Sequence, residues 1–250
     1  MKKETSWGKV ANWYDKYLSD EDNYHNKVIL PNLLRLMSLK ADETVLDLAC
    51  GSGFLTKVIA QSGTKTIGVD VSKELIEIAK KEIGNKATFF VSSADDLSFL
   101  PDQTVNKIAI VLAIQNIEPV KKMLSECHRV LETNGKMYIV MNHPAFRIPK
   151  NSSWQWDEKN KSQYRRVVSY LSESKEEIEM HPGEKSGEKT ISFHRPLQYY
   201  FKLFTNESFT VSRLEEWISH KKSIEGPRQK EEDRTRKEIP LFLFIELSKK

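Results

Sequence analysis

The chain has 250 residues, of which 39% are hydrophobic and 30% charged, and its 39 basic and 35 acidic side chains leave a formal net charge of +4. That composition excludes wholesale disorder, and the absence of any run of about 18 apolar residues excludes a membrane-spanning helix. The excess of positive charge is mild and interspersed, which argues against nucleic acid as the partner.

At the amino end, Met1-Lys2-Lys3-Glu4-Thr5 leads into no apolar run, so a chain without a signal peptide, located in the cytoplasm, is expected. Cys50 and Cys127 stand far apart without metal-ligand spacing, which predicts free thiols and no metal. Residues 7–37 show helical spacing, with Val10, Trp13, Tyr14, Tyr17 and Leu18 in one pattern. A second helix is expected over 28–37, since Pro31 is tolerated near a helix start. A strand over 44–49 runs into Cys50-Gly51-Ser52-Gly53, and a helix follows over 54–61, closed by Gly63. The pattern repeats with a strand over 65–69, Asp70 at its end, and a helix capped by Ser72 that runs to Ile83. Strands are predicted over 87–91, 107–112 and 135–141, with a helix over 120–131.

Strands alternating with helices of about 10–15 residues describe βαβ units, hence a parallel sheet with helices on both faces. The rhythm breaks at 144–195, a polar and aromatic stretch that reads as an insertion after strand five. A helix over 196–204 and strands over 211–217 and 240–247 follow, the last two joined by the charged stretch 220–238 without a helix. That pairing predicts an antiparallel last strand on an otherwise parallel α/β sheet of seven strands. One domain is expected: an N-terminal helical cap (1–40), a core (41–143), a substrate-covering insertion (144–195) and the remainder of the sheet (196–250).

The segment 45–53, Val-Leu-Asp-Leu-Ala-Cys-Gly-Ser-Gly, carries the most chemistry. Glycines directly after a strand and before a helix let the backbone turn sharply and approach a ligand closely. Asp47 lies inside the strand end, where a carboxylate is costly unless hydrogen bonds satisfy it. Asp70 and Asp95 end the next two strands on the same carboxyl edge, and an acid at the position of Asp70 meets ribose hydroxyls in nucleotide-binding sheets. A dinucleotide fingerprint would place a third glycine where this chain has Thr56, and no P-loop pattern occurs. Asp47 suits a cationic or amine-bearing ligand better than a pyrophosphate.

The run 45–53 resembles the glycine-rich first motif of class I S-adenosylmethionine (SAM)-dependent methyltransferases. Residues 110–117 (Ile-Val-Leu-Ala-Ile-Gln-Asn-Ile) resemble that family's fourth strand, and 127–136 its turn before strand five. The resemblance covers about 40–142, and the last two strands more loosely. It implies a Rossmann-like fold and SAM as cofactor, released as S-adenosylhomocysteine. It further implies that the loop from Cys50 through Gly51 to Gly53 holds the methionine moiety, with Asp47 and Ala49 also binding the cofactor. Asp70 would meet the ribose, with Val71 beside it in the cofactor site, Ala94 and Asp95 the adenine, Leu112 the loop behind the methyl donor, and Tyr14 the closing amino-terminal segment. Tyr24 and His25 belong to that same segment.

Ligands on open α/β sheets bind outside the carboxyl ends of the strands, so Gln115, Asn116 and Asn142 are candidate acceptor-binding residues and His143 a candidate base. His181 and His194 lie in the insertion, where Trp154 and Trp156 are candidates for covering the acceptor. The tail 194–200, His-Arg-Pro-Leu-Gln-Tyr-Tyr, resembles small-molecule methyltransferases of the quinone-biosynthesis group. The leading expectation is methyl transfer to oxygen, nitrogen or carbon of a small, partly apolar acceptor, by a monomer or homodimer. An RNA or DNA methyltransferase and a non-catalytic SAM-binding protein are the alternatives.

Overall fold

The computed structural model describes Trp7, residues 20–179 and residues 189–250. Its main sheet contains β1 (Thr44–Leu48), β2 (Lys65–Asp70), β3 (Ala87–Val91), β4 (Val105–Val111), β5 (Leu131–Asn142), β10 (Phe209–Trp217) and β11 (Phe242–Lys249). They lie in the order β3-β2-β1-β4-β5-β11-β10. The first five pair in parallel, and β11 is antiparallel to both β5 and β10. The strand order reverses between β1 and β4, which opens a crevice at their carboxyl ends.

Alternation along each strand feeds two cores. Leu46 and Leu48 of β1, Ile108 and Ile110 of β4, and Met137, Ile139 and Met141 of β5 share one core. There they meet α4 (Val120–Val130) and α5 (Leu197–Asn206). Val45, Ala109, Tyr138 and Val140 point the other way, into a core with α1 (Leu30–Met37) and α2 (Phe54–Gln61). Both faces are therefore covered, which explains why these strands read as near-continuous apolar runs. A third cluster seats α3 (Lys73–Ile83) through Ile76, Ala79 and Ile83 against Cys50 and Phe89. Ser72 caps α3 by accepting a hydrogen bond from the Leu75 amide at 3.3 Å.

Two expectations change. The stretch 220–238 is not helix-free: it contains α6 (Gln229–Glu238), and the edge strands are antiparallel all the same. Sequence periodicity misses α6 because it has no apolar stripe, and its only buried residue is Thr235. An Arg234–Glu231 ion pair one turn apart (2.6 Å) supports it, and Thr235 Oγ1 lies 3.3 Å from the Gln163 carbonyl. The insertion after β5 is two antiparallel hairpins, β6 (Ser152–Asp157) with β7 (Ser162–Val167), and β8 (Ser174–Glu179) with β9 (Lys189–His194). Helix α1 is preceded by a π-helical turn, His25–Ile29.

Candidate active site

A cavity of about 270 Å³ opens at the carboxyl ends of β1, β2 and β4. The backbone makes its floor. Gly51 (φ 57°) and Gly53 (φ 86°) are left-handed, and so are Ala49 (φ 60°) and Leu112 (φ 51°) at the ends of β1 and β4. For a non-glycine residue this conformation costs about 1–2 kcal/mol, so strain gathers at the cavity. Gly53 is further constrained by α3, since a Cβ there would sit 2.6 Å from Ile83 Cδ1.

Two buried carboxylates organise the loop. Asp70 accepts hydrogen bonds from the Gly51 amide (2.9 Å) and the Ser72 amide (2.8 Å), so it ties the glycine turn to the start of α3. Burial raises its pKa, and hydrogen bonds from the amides of Ser72, Gly51 and Val71 oppose the shift. With the Val71 amide as a third donor, about one of the carboxylate's four lone pairs is left for a ligand hydroxyl. Asp47 accepts a 2.6 Å hydrogen bond from Thr56 Oγ1. Burial pushes its pKa up to about 7, the Thr56 hydroxyl partly offsets this, and the charge of Asp70 adds to it. Thr56 occupies the position where a dinucleotide site would have glycine, and here it satisfies the buried carboxylate. Burial and the two carboxylates hold the Cys50 thiol well above its ordinary pKa, so it is inert.

Among the expected cofactor residues, Asp47, Ala49, Cys50, Gly51, Asp70, Val71, Ala94 and Leu112 line this cavity. Val71 is 50% exposed, an uncovered apolar side chain next to Asp70. Gly53 shapes the turn without lining the cavity. Asp95 does not line it either: Ser93 donates to its carboxylate and Lys122 pairs with it at 3.1 Å. Tyr14 and His181 lie outside the described residues.

Sequence reasoning passed over Trp7, Ile29, Leu30, Leu33, Phe54, Ser92 and Ser93, which also line the cavity. The helical spacing of 7–37 marks most of these as packing residues and cannot tell which face meets a ligand. His25, noted in the amino-terminal segment, is present too, and burial lowers its pKa to about 4, so it is neutral at neutral pH.

The acceptor candidates divide. Asn116 lines the first cavity, and its amide donates to the Ile191 carbonyl at 2.7 Å. Gln115 and Asn142 line a second cavity of about 410 Å³ between the end of β5 and the hairpins. His143 lines neither. Its Nδ1 accepts from the Ala145 amide (3.2 Å), which puts the neutral ring's proton on Nε2, 2.7 Å from Glu216 Oε1. The ring is 2% exposed and braces the end of β5 against β10. Burial lowers its pKa against the pull of Glu216. Trp154 and Trp156 also lie outside both cavities, under the guanidinium groups of Arg165 and Arg228 respectively.

Residues 46–139 match the family model of a methyltransferase domain. With the strand order β3-β2-β1-β4-β5-β11-β10 and the glycine turn after β1, that stretch is similar to a methyltransferase domain. The chain is similar to the biotin biosynthesis bifunctional protein BioHC of Cellvibrio japonicus, 27% identical over 151 residues, or 60% of this chain and 29% of that protein. It is also similar to the demethylmenaquinone methyltransferase of Tropheryma whipplei, 27% identical over 113 residues, or 44% of this chain and 46% of that one. The matched stretch is thus less than half the length of either relative. A SAM-dependent methyltransferase structure from Mesorhizobium loti superposes with a TM-score of 0.71 over 92% of this chain and 99% of the other, at 19% identity, and shows the shared fold. Among the described residues no helix is long and apolar enough to cross a membrane.

Proposed function

We propose that this chain is an enzyme that moves the methyl group of SAM to a small-molecule acceptor. The observation that carries the reading is the meeting of two buried carboxylates, a left-handed glycine turn and an exposed apolar wall in one cavity. The chemistry of the donor set fits the cofactor part by part. Asp47, which titrates near neutrality, pairs with the amine of the methionine moiety. Asp70 accepts from a ribose hydroxyl through its remaining lone pair. Val71 and Ala94 give an apolar bed for the adenine, and Leu112 closes the side behind the methionine moiety.

SAM, once bound, supplies a methyl group already activated on a sulfonium. The protein's work is therefore alignment and exclusion of water. The amino-terminal residues Trp7, His25, Ile29 and Leu30 form one wall of the cavity and keep water from it. Asn116, with its amide engaged by Ile191, keeps its carbonyl oxygen as an orienting group for a proton-bearing acceptor atom. His25 is held neutral by burial and serves in orientation at neutral pH. The name of the demethylmenaquinone relative supports a small acceptor.

The test is incubation of the full chain with SAM tritiated on the methyl group and an acid-soluble metabolite extract. Tritium in a small compound separable from SAM, lost in Asp47→Asn, supports the reading. Label in added RNA alone, or no transfer to any fraction, overturns it.

A further inference from the structure

The second cavity differs in kind from the first. Its wall carries Arg147, Lys150, Arg165 and Arg195, and neither an aspartate nor a glutamate. Lys150 is neutralised by Glu176 at 2.8 Å. The three guanidinium groups have no carboxylate partner among the described residues. Arg165 donates to the Phe146 carbonyl (2.7 Å) and Ser152 Oγ (2.9 Å), and Arg195 to the carbonyls of Ile117 and Glu118 (both 3.0 Å). The guanidinium of Arg147 makes no hydrogen bond or ion pair among the described residues, although it stands in a concave site.

This is more than a solvated charged face. Arg195 is 5% exposed, and its charge is met by neutral groups: two backbone carbonyls, the Tyr200 hydroxyl and the rings of Phe193 and Tyr199. Arg147 lies near enough to Arg165 for its charge, after burial, to hold the pKa of Arg165 down. Guanidinium groups do not shed their protons in proteins, so the positive charge of this cluster is permanent. Several forked donors with open valences are suited to the oxygens of a carboxylate or phosphate.

The location matters as much as the charge. Gln115 lines this cavity, and the next residue, Asn116, lines the methyl-donor cavity. Arg195 grips Ile117 and Glu118, which also line the donor cavity, so the turn after β4 is the wall the two cavities share. We propose that the second cavity anchors the carboxylate or phosphate of an anionic methyl acceptor, with Arg147 as the donor that waits for it. The acceptor role rests on the methyltransferase reading above. The anion site rests on the cavity's own geometry.

The experiment is calorimetric titration of the full chain, saturated with S-adenosylhomocysteine, with benzoate, phenyl phosphate and the uncharged benzamide. Arg147→Gln and Arg147→Lys are titrated alongside, and neither removes a contact that holds the fold. One of the two anions is expected to bind at least about tenfold more tightly than benzamide, to lose about tenfold in Arg147→Gln, and to recover partly in Arg147→Lys. Which anion it is distinguishes a carboxylic acid from a phosphate ester. Equal binding of benzamide, unchanged binding in Arg147→Gln, or no anion binding at about 10 mM overturns the inference. S-adenosylhomocysteine binding in the same samples separates the two readings. If it persists while the anions fail, methyl transfer stands and the anion site falls. If it fails while the anions bind, methyl transfer falls and takes the acceptor role of the cavity with it.

Discussion

The two cavities flank one turn and are built on opposite principles. The one at the end of β1 and β2 is shaped by backbone, with left-handed residues at 49, 51, 53 and 112, and is lined by two buried carboxylates. The one beside the hairpins is shaped by side chains from segments far apart in sequence, and its charged lining is cationic. A site made by backbone geometry suits a ligand that does not vary, and a site made by side chains on an insertion can change with the acceptor. On the function proposed above, the contrast puts the cofactor on the sheet and the acceptor on the hairpins.

The largest effect should come from breaking the backbone side. Gly53→Ala forces a side chain into the left-handed region and against Ile83 Cδ1 and Ala79 Cβ, at 2.6 and 3.0 Å. Urea unfolding should show a loss of about 2–4 kcal/mol. Unchanged stability would mean that the turn is not rigid.

Next comes the charge of the cofactor cavity. Asp47 has its pKa raised from 3.8 to about 7, so its negative charge is lost as pH falls through 7. Affinity for S-adenosylhomocysteine should therefore weaken as pH is lowered from about 8 to about 6, approaching tenfold per unit below the pKa, and Asp47→Asn should flatten that profile. The sign for stability is the reverse. The unfolded chain ionises Asp47 near 3.8 while the folded chain keeps the proton to about 7, so the ligand-free protein loses stability as pH rises across that window. A ligand profile that rises towards acid would contradict the assignment.

A smaller effect separates support from chemistry. His143→Gln disturbs the hydrogen bond to Glu216 and should lower stability by about 1 kcal/mol, with cofactor affinity unchanged by calorimetry. A marked loss of methyl transfer at full cofactor occupancy would return His143 to the chemistry. Smallest of all, Ala49→Gly relieves a left-handed alanine (φ 60°) and should shift stability by no more than about 0.5–1 kcal/mol, in the favourable direction.

The same contrast explains how much was legible in the sequence. The strand order, the glycine turn and the carboxylates at 47 and 70 follow from local pattern, because each depends on residues within a few positions of one another. Thr56 was visible as a missing glycine, yet its hydrogen bond to Asp47 needs the first turn of α2 folded back over β1. Asp95 sits on the expected edge and is drawn to Lys122, a long-range pairing that spacing does not reveal. His143 follows strand five as a base might, but Glu216, 73 residues away, captures it. The second cavity depends on Arg147, Arg165 and Arg195 meeting through two polar hairpins whose sequence alternates too weakly to announce strands. Charge balance along the insertion conceals the local excess, because none of its described acidic residues lines the cavity.

The central claim is that the cavity at the ends of β1 and β2 holds SAM through Asp70. Calorimetric titration of the wild type and Asp70→Ala with S-adenosylhomocysteine tests it most directly. The account predicts clear binding to the wild type and a loss of at least tenfold in the variant, about 1.4 kcal/mol or more. Equal affinity in the two proteins, or no binding to the wild type at about millimolar ligand, would contradict it.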